Sequence, residues 1–259
     1  MAEKTIDIAS PILSRNERLA DQLRKRFEQT DTYVINVLSS PGSGKTTTIL
    51  GTNERLRDKA SLRCAVIEGD IASDVDAITM KEAGMPAIQI NTGGLCHLEG
   101  NMIMEAVDAF DQAVGLENID VIFIENVGNL VCPVDFDLGE NLSIMILSVP
   151  EGDDKPIKYP GIFQHAGAQL LNKVDVAPAF DFDMDRYTKT LDDGAAQAGL
   201  VAQALVGAQN RSGLARARAR QHIDHIGACL IKSLTQLICQ ALVARQDRRR
   251  DINRFLGHT

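Results

Sequence analysis

The sequence predicts an α/β fold, a mostly parallel β-sheet with helices on both faces. Two observations predict it. Short apolar runs at residues 34–38, 64–67, 121–124 and 143–149 alternate with stretches whose apolar residues recur at helical spacing. The first of these runs stops abruptly at a small-residue loop, Ser39-Ser40-Pro41-Gly42-Ser43-Gly44-Lys45-Thr46, and a helix-like segment begins there.

Taken in order, Ser10-Pro11 reads as an N-cap followed by proline at the first helical position, and Ile12, Leu13, Leu19, Ala20, Leu23 and Phe27 continue at helical spacing. This helix precedes the first strand, so it lies against the outside of the domain or against a partner. After the loop the pattern predicts a helix over 48–59, a strand from Cys64 that ends in Glu68-Gly69-Asp70, and a helix over 71–83. A short strand at 86–90, a helix over 102–114 and the strand at 121–124 follow. Further strands are expected at 168–171 and 201–206. In such a sheet, ligands bind at the carboxyl ends of the strands.

The loop carries the first chemistry. Small residues let the backbone N–H groups from Ser40, Pro41, Gly42, Ser43 and Gly44 onward to Thr47 wrap an anion (proline lacking the donor), and the helix that starts there adds its positive end. Lys45 is placed for the β and γ phosphates and the Thr46 hydroxyl for Mg²⁺. This is the order of a phosphate-binding-loop nucleoside triphosphatase, with Ser39 where the motif has its first glycine. Asn172-Lys173-Val174-Asp175 follows another strand. Asp175 can accept two hydrogen bonds from guanine, a donor pair adenine lacks. Asn172 can meet the base edge, and the Lys173 stem can lie along the ring. GTP and GDP are therefore the expected nucleotides.

Acidic residues close two strands. Asp70 and Glu125 are expected near Mg²⁺ with Thr46, and Lys45, Thr46, Asp70 and Glu125 form the candidate catalytic set. Glu125-Asn126-Val127-Gly128 stands where many GTPases carry a D-x-x-G switch, and the Gly128 N–H can sense the γ-phosphate. Cys96-His97 and Cys132 offer thiolate and imidazole ligands, which suit Ni²⁺ or Zn²⁺. Buried free cysteines and a capping histidine are the alternative that spacing leaves open. Cys64, Cys229 and Cys239 read as core, His222 and His225 as a solvated helix face, and His165 as a loop residue.

Composition excludes several classes. A net charge of −8 argues against nucleic acid as the main partner. No apolar run reaches the roughly 20 residues of a membrane span, and no apolar segment follows the first charges as in a signal peptide. Five scattered cysteines fit free thiols in a reducing cytoplasm. Aromatics make up 4% and Trp is absent, so the core must come from Ile, Leu, Val and Ala. Composition divides the chain into an N-terminal helix (1–30), a nucleotide-binding domain (31–212) and a helical segment with a basic extension (213–259).

Together these residues resemble the HypB family, hydrogenase-maturation GTPases of the SIMIBI class. The resemblance is carried by residues 39–48, 66–70, Asn91-Thr92-Gly93 with Cys96-His97-Leu98, 123–140, 151–155 and 172–175, within a span of roughly 10–205. It implies a metal site of Cys96, His97 and Cys132 at a dimer interface, with Thr46, Asp70 and Glu125 as the Mg²⁺ and switch positions. It also implies nucleotide-dependent homodimerisation, slow GTP hydrolysis and delivery of nickel to a hydrogenase large-subunit precursor, with a small zinc-containing nickel chaperone as partner. Three departures stand out: Gly94 replaces a lysine, Glu99 an aspartate, and Gly207-Ala208 a Ser-Ala element, which leaves Ala208 only its backbone N–H for the guanine. A GTPase chaperone for urease or a cobalamin enzyme, a metabolic kinase and a non-catalytic metal-binding protein are the competing readings.

Overall fold

A computed structural model describes residues 9–71, 75–191, 201–202, 234–236 and 238–243. The expected α/β architecture is present. The strands are β1 (Tyr33–Ser39), β2 (Cys64–Asp70), β3 (Ala87–Asn91), β4 (Val121–Glu125), β5 (Leu142–Ser148), β6 (Ala168–Asn172) and β7 (Val201–Ala202). They form one sheet in the order β3-β2-β4-β1-β5-β6-β7, and every pairing is parallel. The helices are α1 (Ala9–Thr30), α2 (Lys45–Ala60), α3 (Val75–Glu82), α4 (Gly100–Val114), α5 (Lys155–Lys158), α6 (Pro160–His165) and α7 (Met184–Thr190).

The strands bury both faces, and their alternation sorts the core. Ile35, Val37, Val66, Phe123 and Ile146 point to one side, where Ile49 and Leu56 of α2 and Met80 of α3 cover them. Leu234 and Ile238, in the helical residues 234–236 and 238–243, join that same core. Val34, Ala65, Ile67, Ile122 and Ile124 point to the other side, against α4 and against Leu23 and Phe27 of α1. Each of those two α1 side chains contributes about 1.5–3 kcal/mol by leaving water. Polar ties fix the helix in place: Asn16 Nδ2 donates to the Asp137 carbonyl at 2.7 Å, and the Gly100 N–H donates to Asn16 Oδ1 at 2.7 Å. The first residue of α4 therefore finds its acceptor on α1 rather than on a cap of its own.

Several boundaries differ from the sequence expectation. Helix α1 already includes Ala9, so Ser10 lies in its first turn and is not the N-cap. Helix α2 starts at Lys45, because the phosphate loop leads straight into it. Ile71 is a half-exposed bend after β2, and α3 is shorter than the expected helix. His165 is the last residue of α6 and not a loop residue. Ala208, Gly207, the expected strand beyond Ala202, Cys229, His222, His225 and most of 213–259 lie outside the described residues.

Candidate functional site

The parallel register brings the carboxyl ends of five strands to one edge. Val37 and Glu68 both pair with Glu125, and Ser148 pairs with Asn172. The described site residues lie at these strand ends, in the loops that follow them and β3, and in the first turn of α2.

The phosphate loop is braced from three directions. Asn172 Nδ2 donates to the Ser43 carbonyl at 2.7 Å, and Lys173 Nζ donates to the Gly42 carbonyl at 2.5 Å. Lys173 adopts a left-handed conformation (φ 57°) to do so. The amide of Asn172 is thus committed to the loop, its oxygen accepting the Lys173 N–H, and Asp175 lies exposed three residues further on. Glu151 supplies the third brace. Its Oε1 accepts from Ser43 Oγ at 2.7 Å and from the N–H and hydroxyl of Ser148. Nothing in the motif assigned that role to Glu151; a glutamate three residues after a strand-end serine is a capping-box signal that could have drawn attention to it. Opposite, Gly128 lies against the loop so closely that a Cβ there would meet Pro41 N at 2.7 Å.

Beside Lys45 stands a group of acids. Thr46 Oγ1 donates to Glu125 Oε1 at 2.9 Å, and Lys45 Nζ turns back to Ser39 Oγ at 3.2 Å. Glu125 is 3% exposed and Glu68 2%, and one oxygen of each, Oε2, is buried with no hydrogen-bond partner. Burial pushes the Glu125 carboxyl up to about 7 against the pull of Lys45 and Thr46. Burial, Glu125, Asp70 and Asp76 push Glu68 up to about 8. Glu68 was not among the expected site residues, although an acid inside an apolar strand was a visible signal. Two orphaned buried carboxylate oxygens, the Thr46 hydroxyl and Asp70 offer hard oxygen donors at this end of the sheet, the ligand type that Mg²⁺ takes.

The second cluster lies on the loops after β3 and β4. One ligand atom each of Cys96, His97 and Cys132 lies within 4.8 Å of the others, and it is the one His/Cys/Asp/Glu group of metal-binding shape among the described residues. All three residues are half-buried. Cys96 Sγ is 3.9 Å from His97 Nδ1, while His97 Nε2 faces Glu99 Oε1 at 3.4 Å without a hydrogen bond. The imidazole stacks on Phe136 with ring centres 3.9 Å apart. Glu99, where the family pattern has an aspartate, thus stands beside the ring without hydrogen-bonding it. The shared hydrogen bond with Cys96 and partial burial push the Cys132 thiol up, so binding a metal here releases protons. Cys132 opens the short 3₁₀ turn Cys132–Asp135, which Pro133 stiffens. Leu95 (40% exposed) and Val131 (57% exposed) flank the cluster as apolar surface. Cys64 is buried in β2 and Cys239 is half-buried against the core.

Residues 33–201 match the family model for the CobW/HypB/UreG nucleotide-binding domain. Hydrogenase maturation factor HypB of Escherichia coli K12 is 47% identical over 183 residues, which are 71% of this chain and 61% of that protein. The chain thus spans about three fifths of the length of such relatives. Hydrogenase/urease maturation factor HypB of Helicobacter hepaticus is 43% identical over 73% of this chain and 76% of its own length. Among solved structures, HypB from Helicobacter pylori in complex with nickel superposes with a TM-score of 0.75 at 32% identity, covering 89% of this chain and 96% of that one. HypB from Archaeoglobus fulgidus follows with a TM-score of 0.67 at 31% identity, over 84% and 99%.

Proposed function

The chain belongs to the HypB family, and from that premise we propose that it is a GTP-hydrolysing metallochaperone of the cytoplasm that delivers nickel during [NiFe]-hydrogenase maturation. The observation that carries this reading is the placement of Cys132. It follows β4, whose last residue, Glu125, hydrogen-bonds Thr46 of the phosphate loop, and it meets Cys96 and His97 to form the metal cluster.

In this reading GTP binds with its phosphates in the loop from Ser40 to Thr47 and its guanine on Asp175, aided by Lys173 and the Ala208 N–H. Lys45 swings from Ser39 to the phosphates. Thr46, Asp70 and Glu125 hold Mg²⁺, which supplies charge neutralisation to the β and γ phosphates. Burial raises both Glu68 and Glu125, and a cation held beside them would favour their charged forms. The Gly128 N–H, already against Pro41, senses the γ-phosphate, and hydrolysis releases it. We expect slow turnover, because among the described residues no arginine finger or catalytic glutamine is identifiable in cis.

Nickel is the cargo. Cys96, His97 and Cys132 give three ligands, and a second copy of the chain in a nucleotide-dependent homodimer, water or a partner completes the shell. A small zinc-containing nickel chaperone and the hydrogenase large-subunit precursor are the proposed partners. Calorimetry with Mg²⁺ tests the nucleotide half: GTP binds and ATP does not, and equal affinities would sink the guanine assignment.

A further inference from the structure

We propose that Asn126 is the positioning residue that couples the nucleotide state to the metal loop; the proposal rests on the function proposed above. Asn126 directly follows Glu125, is 1% exposed, and its own N–H donates to the Val37 carbonyl on the strand that feeds the phosphate loop. Its side chain leaves that strand end and crosses to the metal loop. Oδ1 accepts the N–H of Leu98 at 3.3 Å and that of Val127 at 2.9 Å. Nδ2 donates to Asn36 Oδ1 at 3.2 Å, and Asn36 Nδ2 donates in turn to Glu140 Oε1 at 3.1 Å. The two N–H donors on one side and the chain of acceptors on the other fix which way the amide points.

Leu98 is the residue after His97. Its side chain is fully buried against Gly69, next to Asp70, close enough that a Cβ on Gly69 would lie 2.8 Å from it. The exit of the Cys96-His97 loop is thus pinned twice, by Asn126 from the end of β4 and by Gly69 from the end of β2. Both pins sit one residue from a proposed Mg²⁺ ligand. A shift of Glu125 or Asp70 on binding the γ-phosphate and its cation moves the Leu98 amide, and with it His97 and Cys96, relative to Cys132. Coupling through such a network requires that it take up two discrete arrangements, one for each nucleotide state. Alanine at 126 keeps Glu125 and the three metal ligands but removes the acceptor shared by Leu98 and Val127.

The test compares nickel affinity in the GDP state and in the state with Mg²⁺ and a non-hydrolysable GTP analogue, using a chromophoric nickel chelator as competitor. The wild-type chain shows different affinities in the two states, and in Asn126→Ala the two converge to within about twofold while the nickel stoichiometry stays that of the wild type. A wild-type difference that survives unchanged in Asn126→Ala overturns the role of Asn126 and leaves the proposed function standing. No difference in the wild type overturns both. Amide hydrogen exchange on the wild-type chain decides the matter if the variant does not fold. Protection of the Leu98 amide changes between the two nucleotide states, and identical protection overturns the proposal.

Discussion

The nucleotide end and the metal end of this protein share one sheet edge but are built in opposite ways. The phosphate loop is held by donors from Asn172 and Lys173 and by the carboxylate of Glu151, so its shape exists before any phosphate arrives. The candidate metal ligands are three half-buried side chains on two loops, flanked by the exposed Leu95 and Val131. The Gly93-Gly94 turn (φ 62° and 101°) precedes them in the first of those loops. Preorganised donors give tight recognition of a fixed anion, whereas an open, apolar-rimmed set of soft ligands suits a cargo that must enter and leave. In the proposed function the nucleotide site is the clock and the metal site the hand.

Three changes probe that contrast, from the largest effect to the smallest. Asp175→Asn strikes the recognition end: guanosine affinity falls by up to about 10⁴-fold and xanthosine nucleotides take over, as expected where a base-specific pair of hydrogen bonds is lost. Calorimetry with both nucleotides reads it, and an unchanged GTP affinity would remove Asp175 from the base site. At the cargo end, the Cys96→Ala, Cys132→Ala double variant loses nickel affinity by more than about 100-fold, beyond the 10–100-fold typical of losing a supporting residue. Equilibrium dialysis showing the original stoichiometry would dismiss the cluster.

The third change addresses the polar network beneath both ends. Burial pushes the Glu140 carboxyl up, but its contacts with His165, Ser143 and Asn36 outweigh that and hold it down at about 2. His165 is raised in return, chiefly by Glu140, whose Oε1 lies 3.9 Å from its Nε2. Since the folded value for Glu140 lies below the ordinary carboxylate range, its stabilisation is present above about pH 4.5 and is lost as pH falls toward 2; the His165 contribution is present below about pH 6.5 and fades as pH rises through its folded value. Glu140→Gln therefore costs on the order of 3 kcal/mol near pH 6 and flattens the acid limb of the stability curve. Urea unfolding at pH 6 and pH 3 checks this, and an acid limb as steep as the wild type's would refute it.

Much of this was legible in the sequence, and the reasons are local. A strand, a small-residue loop and Lys45-Thr46 read directly because each is a contiguous pattern, and the parallel order follows from strands alternating with helices. Cys96, His97 and Cys132 could be nominated individually, but their approach to within 4.8 Å depends on two loops that start from strands β3 and β4, which are not even adjacent in the sheet. The long-range contacts left no such trace. Asn16 reaching Gly100, Glu151 reaching Ser43, and Asn126 joining Asn36 to Leu98 each link residues far apart in the chain. Single asparagines and glutamates carry no periodicity that would reveal such a partner. Gly94 shows the converse: the resemblance marks it only as a lost lysine, whereas its φ of 101° is a left-handed conformation that glycine adopts without strain.

The central claim is that nucleotide state sets metal affinity through the end of β4. The most direct measurement is the nickel dissociation constant of the full wild-type chain with GDP and with Mg²⁺ and a non-hydrolysable GTP analogue. The account predicts that the two constants differ by at least about fivefold, the lower end of an ordinary coupling between sites. Equal constants, with both nucleotides shown to be bound, would contradict it.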